Sequence, residues 1–244
     1  MLDILKSEVN EFKNQNWFKK ANDSAKNLSL LNDSEIIKKT IYLSQDQTNE
    51  LLNLISKTHG NLFYGSGLEL GAGVGFLSSV ISQKKEIEKI YCLEVVENYV
   101  KLLQPRVIQS FGNKNKIIST LGNFENLNYF KDNSFDFIIQ YDAFHHANNL
   151  KKVLDECYRV LKPNCKIISI DRIQSDRISD AMINRKLNIV YDKKYFEFHK
   201  IDFMPNFTRR DNGEHEIRRS EWKKYFSNSQ FRNITITNYA NYSL

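Results

Sequence analysis

The chain has few cysteines, few prolines and no long apolar run in its 244 residues. Its three cysteines, an odd number, fit neither a disulfide framework nor a paired CxxC metal site. Three prolines together with 41% hydrophobic residues argue against a disordered chain. A membrane helix needs about eighteen consecutive apolar residues, which the sequence lacks, as it lacks the apolar stretch of a signal peptide. These absences predict a folded, reduced, cytoplasmic protein with no membrane partner.

The positive charge of the chain is spread out rather than concentrated. Its formal charge is +6 and its pI is near 9.0. The lysines fall mostly in scattered pairs such as Lys19-Lys20, which is the usual pattern of solvated helix faces. Nucleic-acid binders instead tend to concentrate charge in one stripe. Nucleic acid is therefore not the expected partner, and the one concentration of arginine lies late, in residues 209–219.

The pattern of apolar residues predicts a single α/β domain with a doubly wound, mostly parallel sheet. Residues 1–60 are expected to form a helical cap, in which Ser44 and Gln47 match a capping box. In the core, residues 61–175, short apolar strands alternate with helices. The predicted strands are 67–70, 89–93, 116–120, 135–140 and 166–170, with helices near 76–84, 96–111 and 148–161. A substrate lid over 176–228, with helices near 175–187 and 220–228, and a C-terminal strand within 229–244 complete the predicted domain.

Three of the nine glycines, Gly71, Gly73 and Gly75, follow the first predicted strand of the core. Ligands bind beyond the carboxyl ends of the strands in an open parallel sheet. The spacing G-x-G-x-G places Phe76 where a dinucleotide fingerprint needs its third glycine, which disfavours a dehydrogenase. Glu69, at the end of an apolar strand, would repel a pyrophosphate and attract an ammonium group. The loop therefore predicts a ligand with a positive charge.

The acidic-x-Gly-x-Gly-x-Gly pattern of residues 69–75 resembles that of class I S-adenosylmethionine-dependent methyltransferases, a Rossmann-like family. The resemblance covers about residues 65–172. It implies that the glycine loop approaches the methionine part of S-adenosylmethionine and that Glu69 helps to hold its amino group. It also implies that Glu94, ending the second strand, binds the ribose hydroxyls. The remaining cofactor-binding residues that it implies are Asn123, Phe124 and Gln140; Asn123 stands where the family usually has aspartate.

Candidate bases follow the strand at 135–140. Asp142, His145 and His146 are expected there, and a histidine is the natural general base because it titrates near neutral pH. Asp142 and Asp171 resemble the magnesium-binding carboxylates of some small-molecule O-methyltransferases. Arg172 would oppose a divalent metal, so a metal is possible by this pattern but not favoured.

The lid contains the predicted substrate-binding residues Arg209, Arg210, His215 and Arg218. Arginines can clamp a phosphate or carboxylate with two parallel hydrogen bonds, whereas a solvated loop with local Arg–Glu pairs explains them equally well. The clamp interpretation predicts methyl transfer to an oxygen or nitrogen of a small polar or anionic acceptor. A phosphorylated or nucleotide-linked sugar, or another precursor of a surface polysaccharide or natural product, would fit.

Two alternatives stay open at the level of sequence. The basic pI is compatible with an RNA or protein methyltransferase, although residues 140–144 lack the proline-containing signature of DNA amino-methylating enzymes. A cofactor-binding paralogue without catalysis is the other alternative, and the intact glycine loop and both acidic residues argue against it. The oligomeric state is not predicted.

Overall fold

The computed structural model of the chain describes residues 3–4 and 12–237. Its centre is a six-stranded sheet in the order β1-β4-β3-β2-β5-β6, and every neighbouring pair is parallel. The strands are β1 (Asp3–Ile4), β2 (Gly65–Leu70), β3 (Ile87–Glu94), β4 (Ile117–Leu121), β5 (Phe135–Tyr141) and β6 (Leu161–Ile170). The five strands predicted from the sequence are confirmed, with bounds that differ by a few residues.

Helices cover both faces of the sheet, as a doubly wound fold requires. On one face, α3 (Gln45–His59) and α4 (Phe76–Ser82) pack in a core with Phe137. On the other face, α6 (Leu150–Val160) and Trp222 pack in a second core with Ile138. Gly67 is glycine for a packing reason, because a β-carbon there would lie 2.1 Å from the Phe137 ring. The strand order reverses at β2, which places the glycine loop, residues 71–75, at the switch point where such folds bind ligands.

The helix predicted over 96–111 is divided in two. Tyr99–Leu103 form a π-helical turn, and α5 (Gln104–Phe111) follows with Pro105 in its first turn. Proline has no N–H to donate and cannot continue a regular helical ladder. Single π-turns of this kind often lie at functional sites. Here the turn carries Tyr99.

The C-terminal edge of the described sheet is β6, which begins directly where α6 ends. The predicted end of the helix at 161–164 is confirmed, but the strand begins at Leu161 rather than at residue 166. Pro163 lies inside β6, which pairs only with β5 within the described residues. A proline is tolerated on an outer strand because no neighbour there needs its missing N–H.

The predicted helical cap contains α1 (Asn16–Leu28), α2 (Asp33–Thr40) and α3. The capping box of Ser44 and Gln47 at the start of α3 is confirmed. A wholly helical cap was the wrong expectation, because Asp3–Ile4 form strand β1 beside β4. Two residues are too few to produce the alternating pattern by which a strand is recognised.

The lid carries α7 (Asp180–Leu187), α8 (Lys193–Phe198) and α9 (Arg219–Ser227). It meets the cap above the carboxyl ends of the strands: Ser24 Oγ donates to the His199 carbonyl at 2.8 Å, and Asn27 Nδ2 donates to the Lys200 carbonyl at 2.6 Å. The C-terminal strand predicted within 229–244 is not formed over 231–237, and residues 238–244 lie outside the described part. None of the helices described is long and apolar enough to cross a membrane.

Candidate active site

All three glycines of the glycine loop adopt positive φ angles, 68° at Gly71, 53° at Gly73 and 77° at Gly75. Residues other than glycine rarely adopt this backbone conformation. Two of these glycines also face protein atoms, since a β-carbon on Gly71 would lie 2.5 Å from that of Ala143 and one on Gly75 would lie 3.0 Å from Cys92 Sγ. Gly73 differs, because nothing lies within 4 Å of the place where its β-carbon would be. The open side of the loop is therefore at Gly73.

Glu94 contacts the backbone of Gly73 beside this open side. It ends β3 and is only 7% exposed. One carboxylate oxygen accepts from Gly73 N at 2.8 Å, and the other accepts from the backbone N–H groups of Val95 and Val96 at 2.9 Å. Burial raises the pKa of Glu94, and these three hydrogen bonds oppose the rise. A carboxylate has about four acceptor sites, so Glu94 retains capacity for a hydroxyl beside the open side of Gly73.

Glu69 precedes the glycine loop and contacts the helix that follows it. Its side chain is buried, and one oxygen accepts from Ser78 N at 2.8 Å and from the Ser78 hydroxyl in the first turns of α4. Burial raises the pKa of Glu69 to about 7, against the hydrogen bonds from Ser78. The contact explains how the glycine loop is joined to the helix that follows it. The predicted contact between Glu69 and an amino group of the cofactor stays a prediction.

The other predicted cofactor residues lie around the same end of the sheet. Asn123 is buried, and its Oδ1 accepts from Glu125 N at 2.9 Å in a turn after β4. Phe124 contacts the edge of Phe144 with ring centroids 6.0 Å apart. Gln140 is fully buried; its amide donates to Ser169 and Asp171 and accepts from the backbone N–H groups of Ala143 and Phe144. Gln140 therefore fixes the loop after β5.

A compact group of charges occupies the loops after β5 and β6. Asp142 and Arg172 form a bidentate pair, with both N···O distances 2.7 Å, and Arg172 also donates to Glu214 Oε2 at 2.8 Å. His145 Nδ1 lies 2.7 Å from Asp171, and His145 Nε2 lies 3.5 Å from Glu214. Although burial opposes it, the contacts with these cations lower the pKa of Glu214 to about 2. The three carboxylates are thus matched by nearby positive charges.

The surroundings of His145 favour the protonated form of its imidazole. It is only 1% exposed. Burial alone would lower its pKa, but the carboxylates of Asp171 and Glu214 outweigh burial and raise the pKa of His145 to about 9. The imidazole is therefore a cation at neutral pH and has no lone pair for a proton. His145 as a candidate base stays a prediction, and its contacts with Asp171 and Glu214 favour a role in positioning the loop.

His146 has the opposite properties. Its Nδ1 lies 2.8 Å from the Gly213 carbonyl oxygen, which can only accept, so Nδ1 carries the proton and Nε2 keeps its lone pair. Removal from bulk water by the surrounding protein, and then the positive charge of His145 with ring centroids 4.1 Å away, lower the pKa of His146 to about 4. Its side chain nevertheless reaches solvent. Neutral His146 with a fixed tautomer is thus the better base.

The charge of His145 should make stability depend on pH. Because its folded pKa is raised from 6.5 to about 9, its contribution is complete below pH 6.5 and is lost as the pH rises through 9. A shift of this size corresponds to roughly 3 kcal/mol. We expect the free energy of unfolding of the wild type to lose this amount, relative to His145→Gln, between pH 6 and 10 in urea titrations. A constant difference between the two proteins from pH 6 to 10 would contradict it. His146 and Glu214, whose pKa values His145 lowers, titrate below this range in the wild type.

The predicted arginine clamp is not assembled as expected. Arg209 donates to Glu216 at 2.7 Å and lies 3.4 Å from Glu214. Arg218 is paired with Asp180. Arg210 donates to the side chain of Asn184 at 3.1 Å, and His215 is exposed, without a hydrogen bond or ion pair to any described residue. The arginines mostly hold the lid together, which is the local-pair interpretation of this segment.

Several residues of the cleft were missed in the sequence. Lys20 of α1 donates to the Tyr195 hydroxyl at 2.5 Å and to Asn212 Oδ1. Burial, and then the negative charge of Glu94, raise the pKa of Tyr99. Burial, and then Tyr191, Tyr99 and Glu214, raise the pKa of Tyr195. Tyr99 lies in the π-helical turn after β3, and Tyr195 lies in α8 of the lid. No local pattern marks them, because cap and lid residues meet only in the folded chain.

Two groups of side chains could in principle hold a metal ion among the described residues. One consists of His145, His146 and Glu214, and the other of Asp142, His145 and Asp171. Arg172 already neutralises Asp142 and Glu214, and His145 is itself a cation. A divalent metal would have to displace these charges, so the geometry gives no reason to invoke one. The absence of a metal requirement stays a prediction.

Comparison with known proteins agrees with this geometry. The family model described as a methyltransferase domain matches residues 68–169. A glycine/sarcosine/dimethylglycine N-methyltransferase of Actinopolyspora halophila is 32% identical over 111 residues, which are 45% of this chain and 19% of that protein. A demethylmenaquinone methyltransferase of Leptospira interrogans is 25% identical over 43% of this chain and 41% of its own length. The chain therefore spans less than half the length of these two relatives.

Solved structures share the fold. YcgJ of Bacillus subtilis superposes with a TM-score of 0.54 at 22% identity, over 73% of this chain and 67% of its own. A candidate sarcosine dimethylglycine methyltransferase from Galdieria sulphuraria gives a TM-score of 0.51 at 28% identity, over 68% of this chain and 61% of its own. The glycine loop and the parallel sheet described above agree with these matches. Residues 68–169 therefore match a methyltransferase domain, and they lie within a Rossmann-like fold shared with a solved methyltransferase structure.

Proposed function

We propose that the chain transfers a methyl group from S-adenosylmethionine to an oxygen or nitrogen atom of a small molecule. The observation that carries the proposal is the open side of Gly73 beside the Glu94 carboxylate, at the switch point of the sheet. S-adenosylhomocysteine would be the second product. The relatives named above are enzymes for small acceptors by their descriptions, and they support a small-molecule acceptor here.

His146 provides the acid–base part of the proposed mechanism. Bound S-adenosylmethionine supplies a methyl group on a positively charged sulfur, which keeps the bonding electron pair when the acceptor takes the methyl. A hydroxyl that took the methyl group would become strongly acidic, so even a base of low pKa could accept its proton. An amine would instead have to lose its proton before the transfer, since only its neutral form has a free electron pair. His146 Nε2 is free to accept a proton, because Nδ1–H is held by the Gly213 carbonyl. Asp171 and Glu214 act through His145, which holds the loop in place.

The acceptor is enclosed between the lid and the carboxyl ends of the strands in this proposal. A phosphorylated or nucleotide-linked sugar remains one candidate, although the paired arginines of the lid do not support a phosphate clamp. A small amino acid is a second candidate, in line with the N-methyltransferase relative. The cytoplasmic location expected from the sequence stays a prediction.

An assay with labelled S-adenosylmethionine tests the proposal. The purified protein is incubated with the methyl-labelled compound and, separately, with the small-molecule ultrafiltrate, the RNA and the protein fraction of a cell extract. We expect label in the ultrafiltrate, and none with Glu94→Ala as the matched control. Label in RNA or protein would select the macromolecular alternative. Binding of the cofactor without transfer to any fraction would select the non-catalytic paralogue.

A further inference from the structure

Lys20 is a cation that lies in the wall of the cleft without a carboxylate partner. Its Nζ donates to the Tyr195 hydroxyl and to Asn212 Oδ1, both neutral acceptors. The same nitrogen lies 4.9 Å from the centre of the Tyr195 ring and 5.2 Å from that of Phe207. No carboxylate of the described residues forms an ion pair with it. An ammonium group has three N–H donors, so one remains for a further partner.

Three arginines of the site and the lid differ from Lys20 in this respect. Arg172, Arg209 and Arg218 each pair with at least one carboxylate. Burial lowers the pKa of Lys20 to about 8, and the more distant Glu214 offsets this only partly. Partial burial of a charge without a counter-ion is costly. An anion that reaches Lys20 would remove part of that cost.

Lys20 and His146 are held by two consecutive residues. Lys20 Nζ contacts the side chain of Asn212, and His146 Nδ1 contacts the carbonyl of Gly213. Consecutive α-carbons are about 3.8 Å apart, so both functional groups stand on one short turn of the lid. Asn212 Nδ2 also lies 3.4 Å from Glu214 Oε1, which connects the turn to the charge group below. Lys20 and His146 therefore share one supporting turn of the lid.

We propose that Lys20 binds an acid group of the acceptor, a carboxylate or a phosphate, while the methylated atom faces His146 Nε2. This inference rests on the proposed function and narrows its substrate class to small acids with a nucleophilic oxygen or nitrogen. Lys20 thus takes the anion-binding role that the sequence predicted for the arginines of the lid. Lys20 is a binding residue in this scheme and takes no part in proton transfer.

Calorimetry on the complex with S-adenosylhomocysteine tests the inference. Sarcosine and glucose 6-phosphate are the carboxylate and phosphate probes, and sarcosine methyl ester and glucose are their counterparts without the acid group. We expect one acid to bind more tightly than its counterpart, and the one that does identifies the acid. Lys20→Met should weaken that acid at least about tenfold, the effect of one lost charged hydrogen bond. Lys39→Met is the matched control, because Lys39 contacts the lid at Phe198 instead.

A pH series separates the charge of Lys20 from its packing. The acid should bind more weakly as the pH rises through about 8, where Lys20 loses its proton, whereas Lys20→Arg should keep its affinity to pH 10. His145 also titrates in this range, and Glu214 and His199 lie near Lys20, but they are the same in both proteins.

The outcomes are distinguishable. Failure of S-adenosylhomocysteine to bind would contradict the proposed function itself. Binding of S-adenosylhomocysteine with no preference for either acid, or with a preference that Lys20→Met leaves unchanged, would overturn the inference alone.

Discussion

Gly73→Ala is expected to weaken S-adenosylmethionine binding by about ten- to a hundredfold while the protein stays folded. The added methyl group meets no protein atom within 4 Å, so it does not disturb the core. It occupies the space in which the cofactor has to approach the loop, and steric overlap of this kind typically costs about 1–3 kcal/mol. Affinity is measured by calorimetry and folding by thermal unfolding.

Backbone strain needs its own control in this experiment. Alanine at a positive φ angle costs roughly 1–2 kcal/mol, and this strain could affect binding indirectly. Gly60 also has a positive φ, 85°, with no atom within 4 Å of its β-carbon position, but it ends α3 outside the glycine loop. Gly60→Ala should therefore lose stability without losing cofactor affinity. Equal affinities of the two variants would show that the open side of Gly73 does not face the cofactor.

His146→Asn is expected to lower kcat by about a hundred- to ten-thousandfold, the usual contribution of a positioned acid or base. The asparagine amide can keep the hydrogen bond to the Gly213 carbonyl, since its nitrogen takes the place of Nδ1. It has no equivalent of Nε2, so only proton acceptance is lost. Cofactor affinity should stay unchanged, and His59→Ala at the end of α3 should behave as the wild type.

The pH profile gives a second readout for His146. Because its pKa is lowered to about 4, the base is already unprotonated at pH 5.5, and the wild-type kcat/KM should be constant from there to about pH 7.5. An acid limb near pH 6.5, where an ordinary histidine titrates, that is absent from His146→Asn would contradict the assignment. A limb caused by Glu69, whose pKa is about 7, would be the same in both proteins. Wild-type turnover by His146→Asn would contradict the assignment as well.

The sheet and its cofactor end could be predicted because their signals are local. Each of these signals is contained in a few consecutive residues: the short apolar strands, the glycine spacing, and the carboxylates near the ends of β2 and β3. The same holds for the capping box of Ser44 and Gln47, which is a contact between residues three apart. The π-helical turn at Tyr99–Leu103 and the two-residue strand β1 are too short to produce a recognisable pattern of apolar residues.

The acceptor side depends on contacts between distant parts of the chain. Lys20 belongs to a lysine pair that reads as a solvated helix face, yet it bonds to Asn212, 192 positions later. The two adjacent histidines look equivalent in sequence. Asp171 and Glu214 distinguish them by making His145 a cation, and neither partner is near in sequence. The arginines of the lid were overvalued for the same reason, because their carboxylate partners could not be foreseen.

The central claim is that the glycine loop binds S-adenosylmethionine. Calorimetric titration of the wild-type protein with S-adenosylmethionine, S-adenosylhomocysteine and NAD tests it most directly, with Glu94→Ala measured in parallel. We expect S-adenosylmethionine and S-adenosylhomocysteine to bind and NAD not to bind. Glu94→Ala should weaken the binding of the first two, because Glu94 accepts from Gly73 N beside the open side of the loop. Binding of NAD, or no binding of S-adenosylmethionine and S-adenosylhomocysteine, would contradict the claim.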